Sequence, residues 1–361
     1  MNNRKLVLEN KKVYEGIGFG SCDEVVAELV YNTAVVGYQE IISDPTNYSK
    51  MICMTYPLIG NYGLTDEDYE SKHLSISGLV VREYNDIPSN FRYTKTLGDV
   101  LEENNISGIS GVDTRSIMKM IKAEGSLKAL ICDINKPLEE CFEILENYKE
   151  EENLVKNVSS KKMWYSRTPN PIYNIAVIDL GTKHRFIKEL NNIGCNVIVF
   201  PYNTTKEEIL KYKPDGLFIS NGPGNPLYLK ETLETIKGLK GMLPIFGIGL
   251  GSLLLGLTYG VETYKLKSGC HGANYPVKNV ETNKVEITSS NYDYMFNQES
   301  LKESILDPSH ISVTTNEVVG IICKEEHVMG VLFDPVEIID EDSENLFQEF
   351  FQVIKKCGGS K

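Results

Sequence analysis

Three places in the chain hold residues whose types and spacing could do chemistry. Gly222-Pro223-Gly224 follows a strand pattern, and glycines allow main chain to approach a ligand closely, so this loop could supply N–H donors to an oxyanion. A plain strand-to-helix turn is the other reading of the same residues. Cys270 and His271 adjoin within Gly269-Cys270-His271-Gly272, a thiol beside an imidazole. Neighbours on an extended segment point to opposite faces, which argues against a catalytic pair. Ser252 stands at a helix start just past a sharp bend, where a capping role suits it better than a nucleophile's, since no base is in view. The five histidines, His73, His184, His271, His310 and His327, read as ordinary surface or loop residues, because a near-neutral pKa alone does not nominate a base.

The elements that must position these residues fall into two kinds. Over 5–148, short alternating apolar runs such as 25–31 and 74–81 are broken by Gly, Asn and Pro turns, which predicts mostly strand. Two helices interrupt it: one begins at Asp113 and Thr114, placed as an N-cap before Ile117, Met118 and Ile121, and one covers 138–148. Beyond 174, strand and helix alternate: 175–180 with 183–192, 196–200 with 206–212, 216–220 with 229–239. Such alternation predicts a parallel sheet covered on both faces. A strand over 244–248 then turns through Gly249, Leu250 and Gly251 directly into an apolar helix pattern at 252–257. A helix over 344–354 closes this half. The segment 151–173 runs from acidic to basic and ends in Thr168-Pro169-Asn170-Pro171, so it reads as a linker joining domains at 1–150 and 174–361.

Length and composition agree with two domains in 361 residues, 41% apolar and 24% charged. No apolar run approaches the ~18 residues of a membrane span. The N-terminal residues offer neither a signal-peptide core nor a transit-peptide composition, which points to the cytoplasm. A net charge of −13 opposes the basic footprint that nucleic acid or anionic lipid requires. The eight cysteines form no C-x-x-C pair and no metal-like spacing, so reduced thiols and no metal are expected. The acidic runs 66–70 and 340–344 read as solvated surface, or in the second case as a helix approach, with a basic partner as the other reading.

Motifs in both halves resemble those of the small, glutamine-amidotransferase chain of carbamoyl-phosphate synthase, in that family's order. In the first half they are Tyr31-Asn32-Thr33, Gly37-Tyr38-Gln39-Glu40-Ile41, Asp44-Pro45, Thr55-Tyr56-Pro57-Leu58-Ile59-Gly60-Asn61, Ser89-Asn90-Phe91-Arg92 and Asp113-Thr114-Arg115. In the second they are Asp179-Leu180-Gly181-Thr182-Lys183, Ser220-Asn221-Gly222-Pro223-Gly224-Asn225-Pro226 and Gly272-Ala273-Asn274-Tyr275-Pro276-Val277. The resemblance spans about 5–356. It implies an α/β protein: a mostly-β small-subunit domain followed by a doubly wound sheet like that of class I glutamine amidotransferases.

The resemblance also implies a site, and the sequence departs from it. Hydrolysing the glutamine amide takes a nucleophile, a base, a group orienting the base and oxyanion donors. The family's nucleophile is a cysteine in a Gly-x-Cys-x-Gly elbow at a helix N-terminus, where the macrodipole lowers its pKa. Here the elbow reads Gly247-Ile248-Gly249-Leu250-Gly251, and Gly249 aligns with that cysteine. The family's base and orienter lie in a Gly-His-Pro-Glu stretch that aligns with Phe333-Asp334-Pro335-Val336. Asp334 could accept a proton, whereas Val336 cannot orient a base by hydrogen bonding. Of the glutamine-contacting positions, Thr46, Gly222, Gly224, Leu250 and Asn291 are acceptable. Leu253 replaces a glutamine, Asp293 a glycine and Tyr294 a phenylalanine.

The expectation that follows is a small subunit without its own glutaminase, docked on a large synthetase chain that would use ammonia, as family forms lacking the cysteine do. ATP and Mg²⁺ are expected on that large partner chain and no cofactor on this one. The alternative is a pseudoenzyme that has left the synthetase and binds another small amino acid in the altered pocket. A third is an intact glutaminase with displaced residues, for which Cys270 would be the candidate thiol.

Overall fold

A computed structural model of the chain describes residues 3–336 and 345–357. The acidic run at 340–344 and the tail from 358 lie outside the described residues. The chain divides into two compact units at Glu151 and Glu152, with residues 267–271 grouping with the first.

In the first unit, seven strands close into a barrel: β1 (Asn3–Leu8), β2 (Val13–Gly20), β3 (Val25–Asn32), β4 (Lys50–Met54), β5 (Gly78–Val80), β6 (Ser107–Ser110) and β7 (Leu127–Asp133), in the order β1-β2-β6-β5-β4-β3-β7. The expected strand at 74–81 forms only over its last residues. Closure removes the open edges that free strands would present. Leu6, Leu8, Leu29, Met51, Val80, Ile109 and Ile131 share one buried cluster with Ile117, Met120 and Ile121 of helix α1 (Thr114–Glu124). Helix α1 starts where the sequence places it, the Asp113 carboxylate accepting the Ser116 N–H at 3.0 Å. Helix α2 (Leu138–Asn147) packs its buried Cys141 and Leu145 with Val7, Leu130 and Cys132 of the barrel strands.

The second unit carries an 11-stranded sheet among the described residues. Its strands are β8 (Trp164–Ser166), β9 (Tyr173–Asp179), β10 (Cys195–Pro201), β11 (Gly216–Ile219), β12 (Ile245–Ile248), β13 (Thr263–Asn279), β14 (Val285–Phe296), β15 (Asp307–Ser312), β16 (Val318–Cys323), β17 (Val328–Val331) and β18 (Phe333–Asp334). They run in the order β8-β10-β9-β11-β12-β17-β16-β15-β13-β14-β18. The five strands β10-β9-β11-β12-β17 are mutually parallel, as the strand–helix alternation predicts. Helix α3 (Leu346–Cys357) places Phe347 with its ring centroid 5.8 Å from Phe218 and 5.5 Å from Phe246, and Phe186 joins Phe218 at 6.1 Å.

Two expectations change. From Glu152 onward the segment read as a linker groups with the second unit: Val155–Val158 is a helical turn, and β8 adds an antiparallel strand to β10. A three-residue edge strand is too short for alternation to show in the sequence. Two of the histidines are not surface residues, for His271 is 1% and His310 5% exposed. His310 Nδ1 lies 3.0 Å from Ser309 Oγ, and its ring meets Phe333 edge-on at 5.2 Å. Gly320, its partner across β15 and β16, leaves it room, because a Cβ there would stand 2.8 Å from Nδ1.

Phe347 is fully buried among aromatic rings, so Phe347→Ala is expected to destabilise the second unit by about 3–5 kcal/mol, read as a lower urea midpoint. Burial also pushes the His310 imidazole down from 6.5 to about 4. The unfolded chain therefore takes up the proton first as pH falls, and stability drops across pH 6.5 to 4 by about 3 kcal/mol before levelling. Replacing His310 by Gln should flatten that part of the stability–pH curve relative to the parent; equal slopes in the two proteins would refute it.

Candidate functional site

Strand β12 is buried throughout and ends at the bend singled out in the sequence. Gly249 takes φ 54° and ψ −116°, and helix α4 (Leu250–Thr258) begins at the next residue. The bend is held by main chain: Gly249 N–H donates to the Val331 carbonyl at 2.8 Å, and Gly251 N–H to the Ser220 carbonyl at 3.1 Å. The glycines around it differ in what they permit. A Cβ on Gly247 would stand 2.8 Å from the Gly251 carbonyl, one on Gly251 2.3 Å from the Ile219 oxygen, and one on Gly222 2.2 Å from the Leu180 oxygen. All three are excluded. On Gly249 the nearest atoms are Asn221 Cβ at 3.5 Å and Cα at 3.7 Å, ordinary contact distances. The flanks of the elbow must therefore be glycine, whereas its centre has space for a side chain and only the positive φ disfavours one.

Leu250 and Leu253 are buried in α4, and the Leu253 N–H donates to the Gly249 carbonyl at 3.1 Å. Ser252 does not cap this helix. Gly249 is the N-cap, and the Ser252 hydroxyl, at the third helical position, has no hydrogen-bond partner among the described residues and packs against Gly330. The helix starts three residues earlier than a Ser252 cap would require, at the positive φ of Gly249.

Asp334 is 7% exposed and lies in an ion cluster that the sequence reading missed. Its Oδ2 accepts from Lys183 Nζ at 3.1 Å and from Arg185 Nη2 at 3.1 Å, while its Oδ1 accepts the Val336 N–H at 3.1 Å. The carboxylate that could have served as a proton acceptor is thus the anion of a buried cluster. The turn that delivers Lys183 is organised by Asp179, whose Oδ1 accepts from Gly181 N at 3.0 Å and Thr182 N at 2.9 Å. Its Oδ2 accepts from Ser160 N at 2.8 Å. A lysine and an arginine two residues apart after a buried strand were the available signal.

Strand β18 pairs with β14 through Ser289↔Asp334 and Ser290↔Phe333, which brings the half-buried Asn291, Asp293 and Tyr294 onto the strand beside it. Asn291 and Asp293 share one face of β14 and Tyr294 takes the other. Gly224 has φ 89°, with Leu154 side-chain atoms 3.6 Å from where its Cβ would be. Thr46 belongs to the first unit, in the turn Pro45–Asn47, with its N–H donating to Asp44 Oδ1 at 2.9 Å. Cys270 and His271 also group with the first unit. Along β13, Cys270 is half-buried and His271 buried, and the His271 carbonyl accepts the Thr33 N–H at 3.3 Å. Among the described residues no group of three His, Cys, Asp or Glu could hold a metal ion, and no helix is long and apolar enough to cross a membrane.

Comparison with known proteins covers both units. The family described as "Carbamoyl-phosphate synthase small chain, CPSase domain" matches residues 6–131, and "Glutamine amidotransferase class-I" matches residues 176–353. The carbamoyl phosphate synthase small chain of Staphylococcus epidermidis is 42% identical over 356 residues, covering 98% of this chain and 97% of that one. That of Fusobacterium nucleatum is 41% identical over 355 residues, with 98% and 99% covered. The pyrimidine-specific small chain of Bacillus subtilis is 40% identical over 353 residues, with 98% and 96% covered. With two matched families in series and full-length relatives of this identity, the chain belongs to the carbamoyl-phosphate synthase small chain family.

Proposed function

We propose that this chain is a non-hydrolytic small subunit of carbamoyl-phosphate synthase, docked on a large synthetase chain that takes its nitrogen from ammonia. The observation that carries the reading is Gly249. At the bend where the family places its cysteine there is a hydrogen, on a backbone whose dihedrals still suit the elbow. Asp334 and Val336 stand where the base and its orienter would, the first engaged with Lys183 and Arg185 and the second unable to hydrogen bond through its side chain. Catalytic groups of this kind act as a unit, so the absence of the attacking atom alone removes orders of magnitude in rate. The substitutions Leu253 and Asp293 further disfavour a zwitterionic glutamine, one by removing an amide and the other by adding a carboxylate. ATP and Mg²⁺ would be bound by the large chain. The retained first unit supports the partner, since this barrel domain is what separates the family from other amidotransferases.

The test is an assay of the purified chain, alone and with its large partner, for glutamate release and for carbamoyl phosphate synthesis. Synthesis with ammonia and none with glutamine is expected. Glutamate release that Cys270→Ala abolishes would overturn the proposal, and failure to associate with any large chain would favour an independent binding protein.

Restoring the thiol alone should not restore hydrolysis. Gly249→Cys has steric room and is expected to fold at a cost of about 1–3 kcal/mol from the strained positive-φ backbone, with glutamate release still at the level of a protein-free blank. Glutamine turnover by this single variant would show that the Asp334 position retains a working base.

A further inference from the structure

The strongest feature outside the site is a pair of thiols. Cys132 on β7 and Cys141 on α2 have their sulfurs 3.7 Å apart, and both residues are fully buried. They sit in one apolar cluster with Val7, Leu130 and Leu145, which fixes the strand and the helix against each other. A disulfide needs an S–S distance of ~2.05 Å, so bond formation asks each sulfur to move by less than about 1 Å along the line that already joins them. Eight residues separate the two cysteines in sequence, and the fold, not the spacing, brings them together.

We propose that Cys132 and Cys141 form a dithiol modification site, oxidised by a small peroxide to an intramolecular disulfide that staples α2 to the barrel. In the first step one sulfur attacks a peroxide oxygen, the O–O bond breaks, and a sulfenic acid forms with release of water. The second sulfur then attacks the sulfenic sulfur, the S–O bond breaks, and a second water leaves. Two thiols and one hydrogen peroxide thus give one disulfide and two waters, the thiols being oxidised and the peroxide reduced. Burial, followed by the hydrogen bond with Cys141, raises the Cys132 pKa, so at neutral pH Cys132 rests as a thiol, and its burial keeps bulky disulfides away. Access comes through α2 itself. The helix fully buries Cys141 and Leu145, with Phe142 and Ile144 partly buried against the same cluster, while Leu138, Glu139, Glu140, Glu143, Glu146 and Asn147 face solvent, so a small peroxide would reach the thiols by local opening of this surface helix. Once the peroxide has entered, closure of the helix returns the second thiol to the sulfenic acid at contact distance. The exposed Cys22 and Cys357 have no such neighbour among the described residues and serve as internal controls.

The experiment treats the folded full-length chain with hydrogen peroxide until Cys22 and Cys357 no longer react with N-ethylmaleimide. The chain is then unfolded, alkylated and mapped by peptide mass spectrometry. A Cys132–Cys141 linked peptide lacking two hydrogens is expected, together with a raised melting temperature that dithiothreitol reverses. In Cys141→Ala the thermal shift should vanish, and Cys132 should proceed to a sulfinic acid or remain alkylatable. Cys132 and Cys141 both alkylated after treatment of the folded protein, or both carried to sulfinic acids without a link, would overturn the proposal.

Discussion

Main chain meets main chain at the end of β12, and the rest of the second unit is arranged around that contact. The Ile219 oxygen, the Leu180 oxygen and the Gly251 carbonyl each lie within 2.8 Å of where a neighbouring Cβ would be. Such an approach is open only to glycine, so three segments of the parallel sheet converge without side chains between them. The convergence lies at the carboxyl ends of the strands, the position at which doubly wound sheets bind their ligands. The shape of the site is therefore a property of backbone packing, and it survives whatever happens to the side chains mounted on it.

The charges beside the elbow follow a different constraint. Lys183 is carried inward by the turn that Asp179 organises and is 6% exposed. A buried ammonium needs a counter-charge or it loses its proton. Asp334 supplies one at 3.1 Å and draws Arg185 into the same cluster. That arrangement gives position 334 a structural reason to be acidic without any appeal to proton transfer. Buried ion clusters of this sort are weak contributors to net stability, yet removing one member alone is costly, because the remaining charge is left buried without compensation.

Much of this was legible in the sequence because the signals were local. The Asp113 cap, the strand–helix alternation after 174 and the bend at Gly249 each depend on a few adjacent residues, and each lies where expected. What the sequence concealed depends on partners far along the chain. His310 is buried through Gly320 and Phe333, and Asp334 is paired through residues some 150 positions earlier. Within the segment after Glu152, Trp164–Ser166 joins the sheet because β10 offered it an unpaired edge. Thr46, the first-unit residue of the expected glutamine contacts, was named by resemblance alone, since nothing in its own neighbourhood distinguishes it from an ordinary turn residue.

Retention of the Gly-x-x-x-Gly frame therefore does not by itself argue for retained chemistry. Gly247 and Gly251 are fixed by contacts under 3 Å whether or not a nucleophile stands between them. The central position is the one free to vary sterically, and a residue with a Cβ there would hold a strained positive-φ backbone at a cost of about 1–3 kcal/mol. In a chain that uses a thiol at this bend, that strain is offset by function. With a hydrogen in its place the strain is gone, the hydrogen bonds of Gly249 and Gly251 are kept, and the aromatic cluster around Phe347 holds the sheet as before. Glycine at 249 is thus the residue that backbone energetics alone would select at this bend.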